Sequence, residues 1–121
     1  KGLGAVHSLS HPLGAVAGMR LHHGTLNALF LAPVLRFNQD ACPEKLTGLA
    51  GAIGLGRGND VPATCERLVG DLGLPRRLRD LGVGQEMLPP LAVQALEDHC
   101  SATNPRALSE QAVRRLYADA W

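Results

Sequence analysis

The 121 residues carry a formal charge of +1, with 45% apolar and 19% charged side chains. That balance suits one folded domain, excludes a disordered chain and leaves no material for a second core. No basic block of six or more residues marks a nucleic-acid partner. No apolar run approaches the roughly 20 residues of a membrane span, so neither nucleic acid nor membrane is expected. Lys1-Gly-Leu-Gly opens the chain without a Met or a signal-like start, which reads as a piece of something longer.

Cys42, Cys65 and Cys100 are odd in number and show no CxxC spacing, the pattern of a reduced, cytoplasmic protein. With Phe30, Phe37, Tyr117 and Trp121 as its aromatics, the core must be largely aliphatic, which suits packed helices.

Apolar spacing predicts a helix over about residues 3–17, interrupted or kinked near Pro12, and then a loop over 18–22. A largely buried helix follows over about 23–37, with Leu26, Leu29, Phe30, Val34 and Phe37 inward and a bend expected at Pro33. Pro43 fits a first helical turn, where its missing N–H costs nothing, and opens a short helix to about Leu55. The glycine-rich run from Gly54 to Asp60 has no GK[ST] ending or preceding strand, and reads as a connector or a weak phosphate loop.

Asp60 is placed to cap a helix over about 61–72 that buries Ala63, Leu68, Val69 and Leu72. A short helix from Arg76 to Leu81 closes at Gly82. The next starts near Gly84–Glu86 and runs to about Cys100, burying Leu91, Val93, Leu96 and either His99 or Cys100, and Asn104-Pro105 breaks it. Ser109 then caps a last helix over about 110–120. The result is an all-α bundle of five to seven helices.

Four of the five histidines, His7, His11, His22 and His23, fall within 17 residues of one another, and residues 1–39 hold no Asp or Glu. His7 and His11 share a helix face. Neutral imidazoles are common metal ligands, yet a divalent metal usually wants an anionic ligand too, so a site here needs a carboxylate from elsewhere. Ordinary surface or core histidines would also explain the pattern.

Two stretches together resemble a known family. They are Gly4-Ala-Val-His7-Ser-Leu-Ser-His11-Pro-Leu-Gly14, followed by His23-Gly24-Thr-Leu-Asn27-Ala28 and on through Pro33-Val34 to Arg36-Phe37-Asn38, and Glu97-Asp-His-Cys100, Asn104-Pro105-Arg106, Leu116-Tyr117 and Ala120-Trp121. The first resembles the iron-containing (group III) alcohol dehydrogenases, and the second resembles that family's C-terminal ending.

The resemblance implies that residues 1–121 are the helical C-terminal domain of a dehydroquinate synthase-like, two-domain enzyme. It places the NAD(P)-binding N-terminal domain outside this chain. It implies iron(II), or zinc, acting as Lewis acid on one Asp and three His ligands, the first two upstream. His7 then matches the third ligand and His23 the fourth. His11 matches the histidine beside the nicotinamide, a catalytic and cofactor-contacting role, and Cys100 a position near the substrate-pocket wall. The activity implied is interconversion of an alcohol with its aldehyde or ketone by NAD or NADP, in a homo-oligomer.

The loop before His23 looks two residues longer than is common in that family. His23 is preferred to His22 because Gly24 follows it and Asn27-Ala28 keep their spacing. Alternatives are a maleylacetate reductase, another dehydroquinate synthase-like relative, or a non-catalytic helical interaction module. By itself the chain is expected to be inactive. Plainer readings stand beside these: His99 as a helix-end cap, Cys42 and Cys65 as small buried hydrophobes, and Arg76, Arg77 and Arg79 as a solvated face or a weak phosphate contact. Asn104-Pro-Arg106 is either a helix stop or a lock near the cleft.

Overall fold

Proline and side-chain caps set most of the helix boundaries. The computed structural model describes residues 3–56 and 60–121, within which there are six α-helices and no strand. They are α1 (Ala5–Gly14), α2 (His23–Asn38), α3 (Pro43–Ala52), α4 (Val61–Asp71), α5 (Leu88–Glu97) and α6 (Glu110–Ala120). Short 3-10 turns occupy Leu78–Leu81, Gln85–Met87 and His99–Thr103. Residues 57–59 of the glycine-rich connector lie outside the described residues.

The first helix is shorter than the apolar pattern suggests. Pro12 has no N–H to donate, and α1 stops two residues later with Ala15 N–H bonded to the His11 carbonyl at 3.1 Å. The chain then turns through Gly18 at φ +83° and Arg20 at φ +49°. The Arg20 conformation is uncommon for a residue with a Cβ. By contrast α2 runs unbroken through Pro33.

The helix expected to reach Cys100 is divided into an α-helix flanked by two 3-10 turns. Pro89 and Pro90 sit in the first turn of α5, where their missing N–H costs nothing; α5 begins at Leu88 and the residues before it form a 3-10 turn. At the other end Asp98 leaves helical geometry and its Oδ1 accepts the Cys100 N–H at 2.8 Å, starting the 3-10 turn that follows. The short helix around Arg76 is likewise a 3-10 turn, closed by Gly82 at φ +81°. Asp60 caps α4 through the Ala63 N–H (3.0 Å) and Ser109 caps α6 through the Ala112 N–H (3.1 Å).

Packing joins α1, α2, α5 and α6 around Leu9, Leu13, Leu26, Phe30, Ala92, Val113 and Tyr117, all fully buried. Phe30 meets Tyr117 edge-on with ring centres 5.6 Å apart, a favoured aromatic geometry. The Tyr117 hydroxyl donates to the Leu9 carbonyl at 2.7 Å, tying α6 to α1.

Asn104 is a lock as well as a stop. Its Oδ1 accepts from the Ala5 N–H (3.1 Å) and from Asn38 Nδ2 (3.0 Å), while its own amide donates to Asn38 Oδ1 and to the Arg106 carbonyl, each at 2.7 Å. Gly4 permits this approach, since a Cβ there would sit 3.0 Å from Asn104 Oδ1. The lock joins the start of α1 to the end of α2. Arg106 adds to it, donating to the Phe37 carbonyl at 3.0 Å with its guanidinium 4.4 Å above the Phe37 ring.

Some of the expected inward residues point out. Leu68, Leu72 and Val93 are exposed, as are Leu49 and Ile53, and α3 buries no residue. Cys42 is buried but Cys65 is half-exposed, and all three cysteines are free. No helix among the described residues is long and apolar enough to cross a membrane.

Candidate metal and catalytic site

Helical spacing and the turn between α1 and α2 create a histidine corner. His7 and His11 stand one turn apart on α1, and the turn delivers His23 as the first residue of α2. The ring centres lie 5.7 Å apart for His7–His11, 5.3 Å for His7–His23 and 5.4 Å for His11–His23. His22 stays on the exposed N-cap, with its ring against Gly24. The structure therefore brings His23, not His22, to His7 and His11.

Two imidazole nitrogens converge on one point. Asn27 lies one turn along α2 from His23, and its Nδ2 is 3.0 Å from His23 Nε2 and 3.4 Å from His7 Nε2. The Asn27 amide is held in turn by the Ser10 hydroxyl, which donates to its Oδ1 at 2.7 Å. An amide nitrogen only donates, so both Nε2 atoms present lone pairs to it. Partial burial, then the neighbouring His23 and His11 rings, lower the His7 pKa against an opposing pull from Asp98. His7 thus remains neutral near pH 7, the form that binds a metal.

Behind this pair lies a second, acidic arrangement that spacing along the chain does not reveal. Asp98 Oδ2 is 2.8 Å from His11 Nδ1, across 87 residues of sequence. Burial alone would raise the Asp98 pKa, but the bonds from His11 and from the Cys100 backbone outweigh it and hold the carboxyl below its ordinary value. Cys100 is buried, and that burial, followed by hydrogen bonding and charge from Asp98, pushes its thiol up. Its Sγ is 3.4 Å from His99 Nε2. His99 is exposed and stacks on His11 with centres 6.2 Å apart, so it opens a turn instead of capping a helix end.

His11, Asp98 and Cys100 bring donor atoms within 4.8 Å of one another. Both Asp98 oxygens are engaged, one with His11 and one with the Cys100 N–H, and the thiol is protonated. A neutral thiol is a poor ligand, so this trio reads as a hydrogen-bonded support and not as a cation site.

A separate groove of about 860 Å³ lies between α2, α4 and α6 and contains no histidine. Its guanidiniums are largely engaged: Arg36 pairs with Glu66, Arg77 donates to the Asp119 carbonyl at 2.8 Å, and Arg115 is 3.6 Å from the Asp119 carboxylate. Arg79 stands 5.9 Å over the Trp121 ring.

Residues 1–121 match the sequence model of the Fe-containing alcohol dehydrogenase family, C-terminal part. The chain belongs to the iron-containing alcohol dehydrogenase family. Within it, the chain is 43% identical to a 4-hydroxybutyrate dehydrogenase of Cupriavidus necator, over 96% of this chain and 32% of that protein. It is 39% identical to a lactaldehyde reductase of Escherichia coli K12, over 99% of this chain and 33% of the relative. The crystal structure of a 1,3-propanediol oxidoreductase superposes with a TM-score of 0.90 at 35% identity, covering 98% of this chain and 33% of that one. A maleylacetate reductase from Agrobacterium tumefaciens follows the same fold, with a TM-score of 0.81 at 29% identity over 99% of this chain and 32% of that one. The chain spans about a third of the length of the curated relatives it matches. The histidine corner offers the imidazole Nε2 atoms of His7 and His23 side by side, donors of a kind common in metal sites.

Proposed function

We propose that this chain is the metal-bearing helical part of an NAD(P)-dependent alcohol dehydrogenase. The whole enzyme would be cytoplasmic and homo-oligomeric and would interconvert an alcohol with its aldehyde or ketone. The observation that carries this reading is that the Nε2 atoms of His7 and His23 come together, 3.4 and 3.0 Å from the same Asn27 amide nitrogen. Two imidazoles offer half of a tetrahedral shell. An Asp and a further His on a helix upstream of this segment would complete it.

When bound, the divalent cation supplies Lewis-acid polarisation and the nicotinamide accepts hydride. The residues of this chain do the rest. His7 and His23 hold the cation, iron(II) or zinc. His11 presents a nitrogen to the same cleft and accepts the proton that the alcohol hydroxyl loses as its carbon gives up hydride, which leaves a carbonyl. Cys100, neutral behind Asp98, serves as wall and not as nucleophile. A single domain offers half of the cleft, so the chain alone lacks the near-attack geometry that turnover needs.

The test is an assay of the full-length protein with NAD or NADP and a panel of primary and secondary alcohols, before and after chelation. Activity should vanish on metal removal and return with iron(II) or zinc. Full activity in a protein shown to be metal-free, or robust turnover by the 121-residue chain alone, would overturn the reading.

A further inference from the structure

His11 sits between two rings and on one carboxylate. It stacks on His23 with centres 5.4 Å apart and 19° between planes, and on His99 at 6.2 Å and 25°. Its Nδ1 is 2.8 Å from Asp98 Oδ2. Asp98 cannot swing away easily, because its Oδ1 accepts the Cys100 N–H at 2.8 Å and its side chain is only 14% exposed. An ionised carboxylate only accepts hydrogen bonds, so the 2.8 Å contact requires the proton on Nδ1. In the neutral imidazole the other nitrogen, Nε2, then carries the lone pair.

We propose that Asp98 is the positioning residue that fixes His11 as the Nδ1–H tautomer and aims its Nε2 lone pair into the histidine corner. The proposal rests on the reading of His11 as the proton acceptor for turnover, and adds to it the group that sets its tautomer. Without the carboxylate, neutral imidazole can place its proton on Nε2 and present a donor where an acceptor is needed. The arrangement resembles the carboxylate–imidazole half of a catalytic triad, where the acid orients and does not itself accept the proton. The 3-10 turn after α5 exists because Asp98 caps it, so local backbone and site chemistry share one side chain.

The experiment compares the metal-loaded, full-length parent with His11→Ala, Asp98→Asn and the double variant, and records His11 nitrogen chemical shifts in the zinc-loaded form. Asn keeps an oxygen for the Cys100 N–H but offers His11 an uncharged group. Asp98→Asn should retain metal and KM within about twofold and lose roughly 10- to 100-fold in kcat, short of the roughly 100- to 10,000-fold that a general acid or base itself supplies, because His11 is still present. In the His11→Ala background the same change should alter kcat by less than about twofold. The parent spectrum should show Nδ1–H, and the Asp98→Asn spectrum a shift of population to Nε2–H.

An Asp98→Asn loss as large without His11 as with it would overturn the proposal, as would an Nε2–H tautomer in the parent. The parent spectrum stands even if the variant fails to fold. Unchanged kcat in His11→Ala would instead remove the underlying role of His11, while the nitrogen shifts still decide whether Asp98 sets the tautomer.

Discussion

The half of the molecule made by α1, α2, α5 and α6 and the half made by α3 and α4 use similar apolar content in opposite ways. In the first, Phe30 and Tyr117 are fully buried and each helix gives a face to the shared core. In the second, α3 buries nothing, and Leu68 of α4 and Leu72 just beyond its end are 57% and 64% exposed. Helical periodicity identifies a helix, but burial requires a neighbour on the apolar side. The first half has four helices enclosing one another, and that enclosure holds His7, His11 and His23 in register.

The largest effect should come from breaking the enclosed half. Phe30→Ala removes a fully buried ring from the contact with Tyr117, and should cost about 3–5 kcal/mol of unfolding free energy in chemical denaturation. A loss below about 1 kcal/mol would show that α2 and α6 are not coupled there.

A smaller effect links the core to the site through pH. The folded pKa of Asp98 is lowered, so the unfolded state binds more protons in the acid range and stability rises with pH. Its contribution is fully present above the ordinary carboxylate value of about 3.9 and is lost as pH falls through the lower folded value. The stability gap between parent and Asp98→Asn should therefore narrow on acidification. Denaturation midpoints at pH 6 and below pH 4 would show this, and a gap that widened would reverse the sign.

The smallest effect should come from the open half. Leu72→Ala removes a side chain already in solvent, and should change stability by no more than about 0.5 kcal/mol. A loss of 2 kcal/mol or more, the scale of a core leucine, would mean that α4 is covered in the protein as measured.

Local chemistry made much of the fold legible in sequence. Ser109 and Asp60 start helices where expected, because a cap needs only its own hydroxyl or carboxylate and the amides just ahead. Pro89 and Pro90 also carried a boundary that apolar spacing obscured. The inward assignments of Leu68, Leu72 and Val93 failed because pattern alone does not say where neighbours lie.

The site divides in the same way. That His7 and His11 share a face follows from helical spacing, whereas the choice of His23 comes from the family resemblance, whose motif has Gly24 and Asn27-Ala28 behind it. Asp98 does not follow, since it reaches His11 across 87 residues. Its one local signal was the Asp-x-Cys spacing of a carboxylate that caps its own turn. Asn27 likewise served as a spacing marker in sequence, while in the fold its amide draws the His7 and His23 nitrogens together.

The proposed assignment of the metal to His7 and His23, and not to the adjacent His22, is checked by metal stoichiometry in the full-length protein and its His7→Ala, His22→Ala and His23→Ala variants, each confirmed as folded by circular dichroism. Loss of one of four ligands opens the coordination shell, so His7→Ala and His23→Ala should lose most of their iron or zinc and His22→Ala should keep the parent amount. Parent-level metal in both the His7→Ala and His23→Ala proteins, or a site emptied by His22→Ala alone, would contradict it.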